Sequence, residues 1–349
     1  MNVGITALEW AVPDKVLGRD ELVEKFENEE IVDKIIESSN IYERRVTERQ
    51  ECASDLAVKA AEKLFERFNI DKESIDLLLF ASQTPDYLIP TTACIIQDRL
   101  GLQTRLGAFD INLGCSQYLY SLSTAYAYIK SGLAKRALVL TGDTVTKIIN
   151  PKDRGVVPLF GDAASATIVE QVDQGGFVDF ELGTDGSGHK HLIWPASGMR
   201  NFYQTDEEKN LEKIDKKSGS ITTDSNMSMN GGAIFVFTMR VVPKVIGNLF
   251  EKLKISVDDI DCFVFHQASK LIVDTISSKI KAPPEKVHHR LSDLGNSGGT
   301  TVAITLFDAI QNGKIKAGNK VLLTAFGVGL SWGASVIEVN EELISAIKN

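Results

Sequence analysis

Short apolar runs alternate along the chain with segments of helical period. The runs at 76–82, 137–141, 166–169, 262–265 and 321–324 are rich in Leu, Val, Ile and Phe. Runs of this length, bounded by polar or small residues, predict buried strands. Amphipathic stretches lie between them. In 55–68, Leu56, Ala60, Leu64 and Phe68 recur every four residues and share one face of a helix. Strands alternating with helices predict buried α/β sheets.

The pattern also repeats. Gly114-Cys115, Ile129-Lys-Ser-Gly132 and Leu138-Val-Leu-Thr141 are echoed by Gly295-Asn296, Ile310-Gln-Asn-Gly313 and Leu322-Leu-Thr324. Cys115 and Asn296 are 181 residues apart, as are Gly132 and Gly313, and Thr141 and Thr324 are 183 apart. Asp76 in Ile75-Asp76-Leu-Leu-Leu-Phe80 and Asp261 in Ile260-Asp261-Cys-Phe-Val-Phe265 are 185 apart. Landmarks in one order at nearly one offset predict an internal duplication. The halves are 1–178 and 179–349, joined near the turn marked by Gln174-Gly-Gly176. If they pack about a pseudo-twofold axis, Cys115 and Asn296 approach each other. Phe265-His266-Gln267 would enter the same region. Residues 200–232 are polar and charged without a clean period, and predict an exposed excursion.

Composition narrows the function classes. The 349-residue chain carries a net charge of −9, which argues against general nucleic-acid or membrane-surface binding. Its four cysteines, Cys52, Cys94, Cys115 and Cys262, are scattered. They lack the spacing of zinc or iron–sulfur sites. Glu9 and Asp14 interrupt any signal-peptide apolar region. No apolar run approaches the ~20 residues of a membrane-spanning helix. The expectation is a cytoplasmic protein with reduced thiols, no metal and no permanently bound cofactor.

Cys115 is the candidate nucleophile. A free cysteine is most often a small buried hydrophobe, but this one follows Gly114 and precedes residues 116–129, which contain no Pro or Gly. A thiol at such a helix start meets free N–H groups and the positive end of the dipole, which lower its pKa from about 8.5. His266 follows an apolar strand, where a hydrogen-bonded core histidine is the plainer reading. Asn296 has the plainer reading of a helix cap. The glycines of Gly327-Val-Gly-Leu-Ser-Trp-Gly333 either form a turn alone or let a backbone N–H approach a substrate oxygen. Pseudosymmetry directs Cys115, His266 and Asn296 toward one point.

With these residues in place, the chain resembles the beta-ketoacyl-acyl-carrier-protein synthase III family of the thiolase superfamily. The resemblance runs nearly end to end. It rests on Ile41-Tyr-Glu-Arg-Arg45, Pro90-Thr-Thr-Ala-Cys94 with Gln97, Gly114-Cys-Ser116, Asp153-Arg154 with Leu159-Phe-Gly-Asp162, His266-Gln-Ala268, Gly295-Asn296 and the stretch 326–334. It implies a thiolase-like five-layered αβαβα fold of two pseudo-duplicated halves, and a homodimer. It implies that acyl-CoA acylates Cys115, and that malonyl thioester on acyl carrier protein then condenses with loss of carbon dioxide. His266 and Asn296 would bind the malonyl thioester oxygen. The N–H groups of Cys115 and Gly329 would form the oxyanion hole. Arg154 and Ser269 would contact coenzyme A or its pantetheine arm. Ile89 would bound the partner's acyl pocket. Arg240, Lys244, Lys270 and Lys281 are candidates for docking the carrier protein, beside the plainer reading of solvated side chains.

The chain departs from the family pattern at Ser269, where Asn is usual, and at Ser297-Gly298-Gly299 after Asn296. It departs again at Asp143, in place of a glutamate, and at Ser39-Asn40 before Ile41. These departures point to a specialised pathway, toward a secondary metabolite or a surface glycan. Two alternatives stay open. One is an acyltransferase to a hydroxyl or amine. The other is a non-catalytic carrier-protein-binding subunit, against which the intact Cys-His-Asn set argues. Thiolase itself would want a second cysteine in the loop at 325–329, and hydroxymethylglutaryl-CoA synthase a glutamate near 82–86. A plant-type polyketide synthase usually ends in a Gly-Phe-Gly-Pro-Gly loop, absent here. A papain-type protease fits the duplication poorly.

Overall fold

The computed structural model describes residues 1–216 and 219–348. The chain opens with strand β1 (Asn2–Ala11). A two-stranded ribbon, β2 (Val16–Leu17) and β3 (Arg44–Arg45), then brackets helices α1 (Arg19–Phe26) and α2 (Glu29–Ser39). Next come α3 (Ala53–Phe68), β4 (Leu77–Ala81), α4 (Thr92–Arg99), β5 (Gly107–Ile111), α5 (Gln117–Lys130), β6 (Arg136–Asp143) and β7 (Ala163–Val172). Strand β8 (Gly176–Thr184) begins the second sheet. The excursion after it holds β9 (Leu192–Ile193), α6 (Asp206–Lys209), β10 (Lys213–Ile214), β11 (Ile221–Thr222) and β12 (Ser228–Met229). Then follow α7 (Gly231–Leu253), β13 (Cys262–Phe265), α8 (Lys270–Ile280), β14 (Val287–His288), α9 (Thr300–Gln311), β15 (Lys320–Gly327), β16 (Ser331–Glu338) and α10 (Glu341–Lys348).

The two large sheets have one topology. The first runs β1-β7-β6-β4-β5 and the second β8-β16-β15-β13-β14. In each, the first two junctions are antiparallel and the last two parallel. The repeated sequence landmarks fall on matching elements: β4 with β13, α5 with α9, β6 with β15. We propose that the halves divide at the turn 173–175 ahead of β8, close to the 178/179 boundary read from the sequence.

The pleat assigns side chains to layers. Along β4, Leu77 and Leu79 point one way and Leu78 and Phe80 the other, and all four are sealed from solvent. Leu78 and Phe80 meet α3 and α4 in an outer core with Leu56, Ala60, Leu64 and Ile96. Leu77 and Leu79 face the middle of the molecule. There they share one core with α5, α9 and the inner face of the second sheet. Beyond that sheet, Phe263 and Phe265 pack with α7 and α8. The order is helices, sheet, α5 with α9, sheet, helices, which is the five-layered αβαβα fold.

Two expectations need correction. α7 is long and apolar enough by composition to cross a membrane, a run the sequence reading passed over. Half of it is buried, and Phe237, Val242, Val245, Ile246 and Leu249 form part of the second core. Its hydrophobicity is that of a core helix. The duplication also slips at the second glycine pair. Ser116, next to Cys115, caps α5, whereas α9 is capped by Gly299, beyond Asn296. Asn296 Oδ1 accepts from Gly298 N–H at 3.0 Å, and this Asx turn delays the helix.

Leu79→Ala should remove about 2–5 kcal/mol of stability, because the site is enclosed by two layers and collapses poorly. Urea unfolding followed by circular dichroism measures the loss.

Candidate active site

Cys115 sits at the turn into α5, where Gln117 N–H bonds back to the Gly114 carbonyl at 2.8 Å. Close packing explains both neighbouring glycines. A Cβ on Gly114 would lie 2.3 Å from Gln83 Oε1 and 2.4 Å from Val328 Cγ1. A Cβ on Gly327 would lie 2.5 Å from Cys115 Sγ. The sulfur therefore rests on a bare backbone at the end of β15.

Burial decides the charge of this thiol. Desolvation pushes its pKa up to about 11, against the pull of hydrogen bonds from the Val328 and Cys115 backbone N–H groups. The negative charge of Asp143 adds to the rise. The sequence had predicted a lowered value from the helix start alone. The backbone N–H groups of Val328 and Cys115 pull the value down, but removal of water from the thiolate outweighs them.

His266 lies one residue past β13. Its N–H bonds to the Thr324 carbonyl at 2.7 Å, and its ring stands edge-on to Phe326. It is 1% exposed, and burial pushes its pKa down to about 4, so the ring is neutral near pH 7. Nδ1 is 2.7 Å from Thr301 Oγ1. Asn296 is anchored from both sides. Its N–H donates to the Leu159 carbonyl and its own carbonyl accepts from Gly161 N–H. With Oδ1 taken by Gly298 N–H, the Nδ2 group is left as a donor.

The loops from the two halves interlock behind these groups. A Cβ on Gly299 would lie 2.9 Å from the Gly114 carbonyl oxygen, 3.0 Å from that of Cys115 and 2.5 Å from Gln117 Cγ. Thr301, two residues on, holds His266, while Gly298 holds Asn296. Phe326, against His266, precedes Gly327, against Cys115. The pairings Cys115–Gly327, His266–Thr301 and Asn296–Gly298 thus form one connected unit.

Asp143 underlies this unit. It is buried, and it accepts hydrogen bonds from Gln83 N–H (2.7 Å), Ser82 Oγ (3.1 Å) and Gln117 Nε2 (3.0 Å). Desolvation raises its pKa to about 6 despite these donors. Gln117, Val328 and Thr301 were missed by sequence reasoning. The only signal for them was the Gly298-Gly299 departure, since the missing Cβ on Gly299 makes room for Gln117.

Other expected site residues fall further out. Gly329 lies in the β15–β16 turn and lines a cavity of about 620 Å3 with Gln83, Asn112, Trp194, Met227 and Val328. The N–H groups that reach the sulfur are those of Val328 and Cys115. Arg154 is half-buried, with its guanidinium over the Phe26 ring at 5.8 Å and Nη2 donating to the Phe26 carbonyl. Ser269 Oγ accepts from Ile272 N–H and caps α8. Ile89 is 88% exposed and does not line this cavity, although Tyr87 and Leu88 do. Arg240 pairs loosely with Asp185 and Lys270 pairs with Asp274.

Two sheets of one topology, with a shared helical layer whose N-terminal ends gather residues from both halves, are the architecture of the thiolase-fold condensing enzymes. The model for the 3-oxoacyl-[acyl-carrier-protein] synthase III family matches residues 109–186, and that for its C-terminal part matches 250–339. A beta-ketoacyl-[acyl-carrier-protein] synthase III of Fusobacterium nucleatum is 33% identical over 342 residues, covering 97% of this chain and 98% of its own. That of Caldanaerobacter subterraneus is 35% identical over 341 residues, covering 96% and 97%. A crystal structure of a 3-oxoacyl-(acyl-carrier-protein) synthase III superposes with a TM-score of 0.93 at 35% identity, over 97% of this chain and all of the other. The synthase from Burkholderia xenovorans gives 0.89 at 31% identity, over 99% and 96%. The chain belongs to the beta-ketoacyl-acyl-carrier-protein synthase III family.

Gly327→Ala should displace the sulfur and slow acyl transfer to Cys115 about 100-fold, the loss expected of a ~1 Å misplacement. Asp143→Asn removes a negative charge that disfavours the thiolate. The pH profile of Cys115 alkylation by iodoacetamide should have its midpoint well above the usual thiol range in the unaltered protein, where burial raises the pKa to about 11, and should move to lower pH in Asp143→Asn.

Proposed function

We propose that this protein is a beta-ketoacyl-acyl-carrier-protein synthase III, with Cys115 as nucleophile and His266 and Asn296 as the pair that serves the malonyl thioester. The observation that carries the proposal is the interlocked unit of loops from the two halves. It joins a buried thiol, a neutral imidazole and an oriented carboxamide around one backbone turn.

The chemistry follows from the groups. The Cys115 sulfur attacks the carbonyl of an acyl-CoA, the C–S bond to coenzyme A breaks, the thiol proton passes to the departing coenzyme A sulfur, and the acyl group is left on the enzyme. Backbone N–H groups of Cys115 and of the 328–329 turn donate hydrogen bonds to the oxyanion. Malonyl-acyl-carrier-protein then enters. Its C–C bond to the carboxylate breaks, carbon dioxide leaves, and the electron pair becomes an enolate whose oxygen faces Asn296 and His266. The enolate carbon attacks the acyl carbonyl, a 3-oxoacyl product forms on the carrier, and the Cys115 thiolate is released to be reprotonated. A donor aimed at such an oxyanion contributes about 3 kcal/mol to the transition state. Arg154 and Ser269 stand as contacts for the coenzyme A phosphates and pantetheine, and Arg240, Lys244, Lys270 and Lys281 for the acidic carrier.

The same reading includes a homodimer. β5 is the edge strand of the first sheet and its residues are only half-buried. Tyr87, Leu88 and Ile89 are 63%, 66% and 88% exposed. An open edge and an apolar loop are what a second copy would cover. Sedimentation should give the mass of two chains, and Ile89→Asp should shift it toward one.

Incubation with a panel of acyl-CoAs, read by intact mass, should place an acyl group on residue 115 and none on Cys115→Ala. Added malonyl-acyl-carrier-protein should then release carbon dioxide. Asn296→Ala should keep acylation and lose about 100- to 1,000-fold in carbon dioxide release. Acylation without carbon dioxide in the unaltered protein would favour the acyltransferase reading, and no acylation at all the non-catalytic one.

A further inference from the structure

Thr301 is buried at the N-terminal turn of α9, and its hydroxyl oxygen has three partners. Gln267 N–H lies 3.1 Å away, the Gly298 carbonyl oxygen 2.9 Å and His266 Nδ1 2.7 Å. The first is an obligate donor and the second an obligate acceptor. A hydroxyl has one proton to give. If that proton goes to the Gly298 carbonyl, the contact with Nδ1 needs a proton on the imidazole. The Gly298 carbonyl also accepts from Thr301 N–H at 3.2 Å, so the opposite choice would not orphan it, but it would set a hydroxyl lone pair against a carbonyl oxygen 2.9 Å away in a buried site. The Gly298 carbonyl also faces the ring and favours a proton on it. On the other side of the ring, Nε2 makes no hydrogen bond of ordinary length among the described residues, and it is not among the polar atoms sealed from solvent.

We propose that Thr301 is a positioning residue for His266: it holds the resting proton on Nδ1 and leaves Nε2 as a bare lone pair open to the site. The proposal deepens the function given above and rests on that reading for its catalytic meaning. In the resting protein His266 then accepts a hydrogen bond at Nε2 rather than donating one. It can donate to an enolate oxygen only after Nε2 has taken up a proton from solvent, the one proton the condensation consumes and that finally returns Cys115 to its thiol, whereas Asn296 Nδ2 donates throughout. The two groups differ in role, although sequence reasoning treated them as one pair of donors. The plan also explains a buried threonine here: its hydroxyl joins the His266 strand end to the Asn296 turn.

The test measures the tautomer directly and does not depend on turnover. Nitrogen-15 NMR of histidine-labelled protein, with the His266 signals assigned by their loss in His266→Gln, should show a protonated Nδ1 and an unprotonated Nε2 at pH 7.5. In Thr301→Val the Nε2–H form should grow, and carbon dioxide release from malonyl-acyl-carrier-protein should fall about 10- to 100-fold, by analogy with the loss of a partner that orients a metal-bound imidazole. Thr301→Ser keeps the hydroxyl and should restore both the tautomer and the rate. A protonated Nε2 in the unaltered resting protein would overturn the proposal. So would a Thr301→Val protein whose His266 signals are unchanged. If the NMR pattern is as expected while no acyl-CoA acylates Cys115, the tautomer assignment stands and the functional reading fails.

Discussion

The structure depends on burying the starts of two helices against each other. α5 and α9 lie between the sheets and are covered on both sides by apolar side chains. Their first N–H groups have no water to turn to, so the loops that precede them must supply partners. Those loops carry Cys115 and Asn296. Gly299 lets the approach happen, since any side chain there would strike the Gly114 and Cys115 carbonyls and Gln117. The contact that completes the central layer also assembles the site.

Dehydration then sets the charges. Cys115, His266 and Asp143 are all buried, and each has its pKa moved toward the neutral form with desolvation as the leading cause. A thiol, a neutral imidazole and a carboxyl of raised pKa share one dry region. Net formal charge there stays low until an anionic substrate arrives. Such a site holds Asn296 Nδ2 and the backbone N–H groups in fixed directions before the reaction begins. Asp143 joins the 82–84 loop to Gln117 at the start of α5, two residues from Cys115.

Much of this was legible in the chain because duplication writes the same pattern twice. The runs at 76–82 and 262–265 became β4 and β13, which hold the same place next to the edge strand in matching sheets. The landmarks around Cys115 and Asn296 became the two loops that interlock. What pattern could not supply was relative energy. A glycine before a helix implies helped ionisation of the thiol, but a tool as local as sequence spacing contains no term for the water that the second half displaces. The slip at Asn296 has the same origin: its side chain closes an Asx turn and α9 starts later than the symmetry suggests.

By itself the sequence determined the alternation of strands and helices, the two halves, and which cysteine, histidine and asparagine stand at matching ends, because periodicity and glycine placement act over a few residues. Only the tertiary structure decided that the thiol is held as a thiol, that the Val328 N–H reaches the sulfur beside that of Cys115, and that Thr301, Gln117 and Asp143 belong to the site. Those outcomes turn on contacts between residues tens to hundreds of positions apart, and on the exclusion of water that begins only when both sheets close over the same pair of helices.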